Sequence, residues 1–267
     1  MIIVSARKDF GNPDQLLPTG HLIKEIDFSR NAVIAPHIEV GQLTQQLAGK
    51  RVLMLVHGYN NEQDEVHDAY QIIEEKIADK LPDVYDLVLG YSWPGGDKRI
   101  EWWTGKHRAN SVARRFRFLI ELFAGQAAKL DLMSHSLGAR VVLKALKECD
   151  QKDLVRNFWC TAPAVDHECL EPDKEFSRAL PSCERIFVFH SARDDVLRLA
   201  FFTAEREPAL GLFGPEDRQW VSSRAKRVFV ANCKHCVDHH GGYKHTNRLY
   251  WYISSYVERD PAKFKTL

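Results

Sequence analysis

A serine, an acid and a histidine stand in this chain in an order that suits acyl transfer. Ser136 lies in "KLDLMSHSLGARVVLKAL" (Lys129–Leu146), where an apolar run of Leu130, Leu132 and Met133 ends in Ser-His-Ser-Leu-Gly and passes at once into helical spacing. A strand that turns straight into a helix holds the turn residue in a strained conformation with its side chain pushed outward, and small residues two positions to either side let strand and helix approach. Here those residues are Ser134 and Gly138, so the motif is S-x-S-x-G rather than G-x-S-x-G. The helix begins at the serine, so backbone N–H groups point toward it and favour an oxyanion there. On this stretch alone, helix capping is the better account of Ser136, and other stretches are needed to change that.

Three other stretches supply what a nucleophilic serine needs. "LVHGYNN" places His57-Gly58-Tyr59-Asn60-Asn61 after the apolar run Arg51–Val56. Such a loop commonly carries the second donor to a developing oxyanion, here the Tyr59 amide, with the Leu137 amide as the first. An ordinary Gly/Asn turn accounts for Gly58 but not for His-Gly directly after a buried strand. "FVFHSARDDVL" puts Asp194 and Asp195 after a late strand, in the chain order Ser, Asp, His. Asp194 opens the loop and is the preferred acid, while Asp195 is well placed to cap the next helix. Asp166, in "TAPAVDHE", is the fallback. "CVDHHGGYKHTNRLYWYI" offers His239, His240 and His245 before the last helix. His240, next to Gly241-Gly242 on an exposed loop, is the preferred base and His245 the runner-up.

The expected mechanism has His240 taking the Ser136 proton, Asp194 holding the imidazole, and the Tyr59 and Leu137 amides stabilising the tetrahedral oxyanion of an ester-like substrate. The motifs "VLMLVHGYNN", "YSWPGG", "LMSHSLGARVV", "SARDDVL" and "HGGYK" resemble the α/β-hydrolase superfamily, in particular its bacterial branch known as a domain of unknown function. The resemblance runs from about Arg51 to Val257. It implies an α/β-hydrolase fold with about eight mostly parallel strands, Ser136 as nucleophile, Asp194 as acid and His240 as base; His245 aligns as an alternative base. Ser134 departs from the usual glycine. No substrate is implied. A binding scaffold that has lost catalysis is the alternative of a different class.

The elements that must position these residues are legible as alternation. "RVLMLV", "YDLVLGYSW", "KLDLMS", "RNFWCTAP", "RIFVFH" and "AKRVFVANC" read as strands. Between them, Val66, Tyr70, Ile73 and Ile77 form one helical stripe, Val112, Phe116, Leu119, Ile120 and Phe123 a second, and Ala139, Val142, Leu143 and Leu146 a third. A final helix is expected near Leu249–Val257. Strands separated by helices call for a mostly parallel sheet covered on both faces. One domain is expected over residues 1–267, with amino-terminal strands and loops in 1–45 and a flap in about 195–219.

Composition narrows the partners. The chain has 267 residues, 45% hydrophobic and 27% charged, with a formal net charge of +1. That balance argues against nucleic acid or an anionic membrane as the main partner; the serine, acid and histidine motifs make a small acyl compound the expected substrate, and oligomeric state stays open. Arg114, Arg115 and Arg117 read as a solvated helix face. No apolar run approaches the ~18 residues of a membrane span. The start "MIIVSARKDFGNP" lacks the pattern of a secretory signal, so six scattered cysteines are expected as reduced thiols in a cytoplasmic protein. Cys233, Cys236, His239 and His240 invite a zinc reading, yet structural sites draw their ligands from separated segments, and neither metal nor cofactor is expected. "WPGGDK" and "SARDD" do not form a phosphate loop. Trp93, Trp102 and Trp103 suit core or rim packing better than a cleft wall; Phe201, Phe202, Leu212 and Phe213 suit a flap or the core equally.

Overall fold

The computed structural model describes residues 1–96 and 102–267; Asp97 and Lys98 of "WPGGDK" lie outside the described residues. Its strands are β1 (Ile2–Ser5), β2 (Leu22–Asp27), β3 (Ala32–Ala35), β4 (Arg51–Val56), β5 (Leu87–Ser92), β6 (Lys129–His135), β7 (Val155–Thr161), β8 (Cys183–His190), β9 (Val228–Asn232) and β10 (Phe264–Thr266). The helices are α1 (Val40–Leu47), α2 (Gln63–Lys80), α3 (Trp102–Ala124), α4 (Gly138–Lys147), the short α5 (Phe202–Glu205), α6 (Leu210–Phe213) and α7 (Arg218–Ser223), and α8 (Asn247–Tyr256).

The strands form one sheet in the order β10-β9-β8-β7-β6-β4-β5-β1-β2-β3. Pairing is parallel from β10 through β1, and antiparallel only where β2 joins β1 and β3 joins β2. Among the described residues the sheet therefore has ten strands where about eight were expected. The surplus sits at the two edges. β3 exposes Val33 and Ile34, so no buried alternation marks it in the sequence, and β10 is three residues long.

The three apolar stripes fold as their spacing predicts. Val66, Tyr70 and Ile77 of α2 are buried, as are Val112, Phe116, Leu119, Ile120 and Phe123 of α3 and nearly all of α4. Burial of such stripes against the sheet, rather than intrinsic propensity, supplies most helical stability. After β4 the chain steps to β5 through α2, then returns past β4 to β6 through α3. Right-handed crossovers in opposite directions put α2 and α3 on opposite faces. α3 packs on α4 and α2 on α8. The loops after β4 and β6, neighbouring strands, therefore diverge at their carboxyl ends, where open α/β sheets form their ligand crevice.

The opposite end of the sheet is braced by a buried polar cluster. Asp131 accepts from Arg156 Nε and Nη2 at 2.9 and 2.8 Å, from the Asn157 backbone and side chain, each at 3.0 Å, and from Tyr85 Oη at 2.8 Å. Among the described residues no helix is long and apolar enough to cross a membrane. All six cysteines are free.

Candidate active site

Ser136 occupies the turn between β6 and α4 with φ at 55°, in the left-handed region. That region costs a non-glycine residue about 1–3 kcal/mol and persists only where the surroundings enforce it. The enforcing contacts are backbone bonds. Ser136 N–H donates to Thr161 O at 3.0 Å, and Ser136 O accepts from Ala139 and Ala164 N–H, each at 3.1 Å. Gly138 lies so close to β4 that an added Cβ would stand 2.6 Å from Val56 O and nearer still to His57 O. Ser134 fits where the usual motif has glycine because its Oγ turns toward β7, 3.7 Å from Cys160 Sγ, while Thr161 Oγ1 donates to Ser134 O at 2.7 Å.

The loop after β4 backs onto this turn. A Cβ on Gly58 would stand 2.9 Å from Ser136 Cβ and 3.2 Å from His135 O, which is why the chain needs glycine there. His57 anchors the loop. Its N–H donates to Tyr70 Oη at 3.0 Å, and its ring stacks on Trp93 at 5.4 Å and 13°. Nδ1 lies 2.8 Å from Gly58 O, while Nε2 accepts the Trp93 N–H at 3.0 Å, so the proton sits on Nδ1. Burial, and then the nearby Arg7 charge, holds the His57 pKa well below the ordinary histidine value, which keeps Nε2 an acceptor. Trp93 is therefore a core residue, Trp102 donates to Glu205, and Trp103 is exposed.

The acid and the imidazole meet. Asp194 is fully buried, and its Oδ2 lies 2.7 Å from His240 Nδ1. Its Oδ1 accepts the Leu197 N–H at 3.0 Å. The capping role expected of Asp195 is thus taken by Asp194, and Asp195 is exposed. Asp166 lies beyond Leu137, beside Arg140 and Glu205, with its pKa raised by burial and then by Glu205. His239 and His245 are exposed. His135, which the sequence reading passed over, places its Nε2 2.9 Å from His240 O and its ring 4.6 Å from the His240 ring. The only signal for it was its place inside the serine motif. Burial lowers its pKa to about 3, so it is neutral and donates from Nε2.

Ser136, His240, His57, Tyr59 and Thr161 border one cavity of about 410 Å³. The cavity descends beside β4 and β6 between α2 and α8, past Leu55, Met133, Ile73 and Leu249. Among the described residues, Ser136 Oγ has no hydrogen bond. Segment 195–219 does not wall this cavity. Its Leu210, Gly211 and Leu212 are buried, and Phe201 and Glu205 sit near Leu137. A wider surface hollow of about 510 Å³ beside α1 is lined by Gln42, Gln45 and Gln46 and carries no nucleophile. Among the described residues, no three His, Cys, Asp or Glu side chains stand together to hold a metal ion. A hydroxyl on a strained turn and an imidazole steadied by a buried carboxylate, both opening on an apolar cavity, have the parts for nucleophilic acyl transfer.

The fold and these loops define an α/β hydrolase. Residues 35–244 match the family described as "alpha/beta hydrolase of unknown function (DUF900)", and the chain belongs to that family. None of the curated proteins matches the sequence. Among solved structures it is similar to a Thermus thermophilus protein (14% identity, 90% of this chain and 94% of that one, TM-score 0.47). It is also similar to a Pyrobaculum calidifontis esterase (10% identity, 97% and 84%, TM-score 0.47) and a thermophilic esterase from Thermogutta terrifontis (12% identity, 78% and 82%, TM-score 0.41). These likenesses carry no conclusion about substrate.

Proposed function

We propose that this hydrolase is a single-domain serine enzyme that cleaves an ester or related acyl bond through Ser136, His240 and Asp194. The observation that supports this reading best is the Asp194–His240 pair at 2.7 Å, with His240 and the strained Ser136 bordering the same cavity. Asp194 fixes the proton of His240 on Nδ1, which leaves Nε2 as the base. With substrate in place, Ser136 Oγ turns to Nε2, a contact that commonly tightens only in the substrate complex. Ser136 attacks the carbonyl, His240 takes its proton, and the Tyr59 and Leu137 amides receive the oxyanion. Each such donor is worth ~2.7–4 kcal/mol in the transition state. His240 then protonates the leaving oxygen, and water, activated by the same imidazole, releases the acid from the acyl-enzyme. The apolar cavity wall favours an apolar acyl group.

The test is labelling by a fluorophosphonate probe together with hydrolysis of short p-nitrophenyl esters, for the native chain and Ser136→Ala. Labelling and turnover lost in Ser136→Ala support the reading. Folded native protein that neither labels nor turns over points to a binding scaffold instead.

A further inference from the structure

Arg7 lies outside the family match, which begins at residue 35, yet it reaches the back of the candidate site. It follows β1, is fully buried, and is held by its N–H on Ser5 Oγ at 3.1 Å. Its Nη2 donates to Asn61 O at 2.9 Å and stands 3.4 Å from His57 Nε2. Those two partners bracket Gly58, Tyr59 and Asn60 in the loop between β4 and α2. One guanidinium nitrogen therefore ties the loop on both sides of them.

The rest of the guanidinium is unusual. Nε and Nη1 are buried without a hydrogen-bond partner, and among the described residues no carboxylate forms an ion pair with the group, Glu62 acting on it only from a distance. A buried unpaired cation is expensive to keep, and its retention calls for a reason. Burial lowers its pKa only to about 10, so the charge persists at neutral pH. A fixed positive charge behind donors that face a developing oxyanion favours the charged intermediate over the neutral ester, because little reorganisation accompanies the reaction.

We propose that Arg7 is a positioning residue for the oxyanion loop, clamping His57 and Asn61 and setting a positive potential behind the Tyr59 amide. The proposal rests on the serine-hydrolase reading above. It makes the amino-terminal segment part of the working site.

The experiment compares kcat and KM for a short p-nitrophenyl ester in native protein, Arg7→Met, Arg7→Lys and Ser136→Ala, with melting temperatures for each. Inhibition by a trifluoromethyl ketone, which forms an anionic tetrahedral adduct, is measured in parallel. Arg7→Met is expected to lower kcat about 30- to 100-fold, somewhat less than loss of a direct donor, with KM changed less than about threefold. Arg7→Lys, which keeps the charge, is expected to recover about tenfold of that loss. Ketone affinity is expected to fall in step with kcat. If Arg7→Met does not fold, Arg7→Gln, which keeps donors but not the charge, carries the test: a ketone affinity equal to the native value overturns the proposal. So does a native kcat in folded Arg7→Met, or a change confined to melting temperature. Native turnover that survives Ser136→Ala removes the underlying reading instead, whatever Arg7 does.

Discussion

Asp194 holds His240 with one carboxylate oxygen, Oδ2 on Nδ1 at 2.7 Å, and caps the following turn with the other, Oδ1 on Leu197 N–H at 3.0 Å. One side chain thus orients the imidazole and fixes the loop that presents the carboxylate. Because both oxygens are engaged, the carboxylate cannot rotate away from the histidine without losing the cap.

Asp194→Asn separates these duties. The amide oxygen can still accept the Leu197 N–H, but its NH2 faces Nδ1 and favours the wrong tautomer. Under the proposed mechanism kcat on a p-nitrophenyl ester falls roughly 10³–10⁴-fold with little change in melting temperature. Asp194→Ala removes the cap as well and costs about 1 kcal/mol further in stability. Ester hydrolysis and thermal unfolding of the two variants check both statements; a native rate in folded Asp194→Asn removes the acid from the mechanism.

The choice between the two histidines has its own test. His240 borders the cavity and contacts Asp194, while His245 is exposed on the far side of the short turn His240–Lys244. His240→Ala is expected to lose at least about 10³-fold in kcat, and His245→Ala to stay near the native rate. The reverse pattern transfers the base to His245.

The sequence made the central strands and the large helices legible because each buries one stripe or a continuous apolar run, a pattern tied directly to burial. It also made legible where Ser136, Asp194 and His240 fall, since each follows a readable strand. Three things stayed hidden. β3 and β10 are edge strands that carry no apolar alternation. Asp194 and Asp195 are adjacent and chemically identical, so only coordinates assign the cap. Arg7 and His135 act through contacts far apart in sequence, Arg7 Nη2 to Asn61 O being 54 residues apart, and no local spacing announces those contacts.

Two glycines around Ser136 predict different failures. At Gly138 a methyl meets only backbone, Val56 O and His57 O, which cannot swing aside. Gly138→Ala is expected to destabilise the protein by about 1–3 kcal/mol or more, as overpacking does. At Gly58 the methyl meets the Ser136 Cβ at 2.9 Å and pushes the donor loop off the turn. Gly58→Ala is expected to lose more activity than stability, about tenfold or more in kcat. Melting temperature against kcat distinguishes the two; equal loss of both in Gly58→Ala contradicts the second expectation.

Asp131 provides the opposite control, a fully buried carboxylate at the amino ends of the strands. It neutralises Arg156, which also pairs with the more exposed Glu258. Removing one partner of a buried pair leaves an uncompensated charge, so Asp131→Ala should cost about 3–5 kcal/mol. The rate per folded molecule should not change, because the cluster lies at the other end of the sheet from Ser136. Chemical denaturation and active-site titration measure the two quantities, and an unshifted midpoint contradicts the structural role.

Acid should destabilise the fold through histidines that burial keeps neutral. Burial pushes the pKa of His21 to about 4, of His135 to about 3 and of His190 to about 4. In the unfolded chain each returns to about 6.5. Between about pH 6.5 and 4 the unfolded state takes up protons that the folded state refuses, so stability falls as pH drops through that window and is fully present above it. At pH 5 a group shifted from about 6.5 to about 4 contributes a loss of roughly 2 kcal/mol. His21 is the one to remove: its ring packs edge-on against Tyr91 at 5.8 Å, with Nε2 3.5 Å from Tyr91 Oη, and a phenyl ring keeps the packing while losing that hydrogen bond. His21→Phe should melt somewhat below the native temperature at pH 7, where the Tyr91 hydroxyl loses its partner, and lose less stability than the native protein on acidification from pH 7 to pH 5. Melting curves over pH 4–8 decide it: a native protein with no loss between pH 7 and 5, or a variant with the native slope, contradicts the assignment.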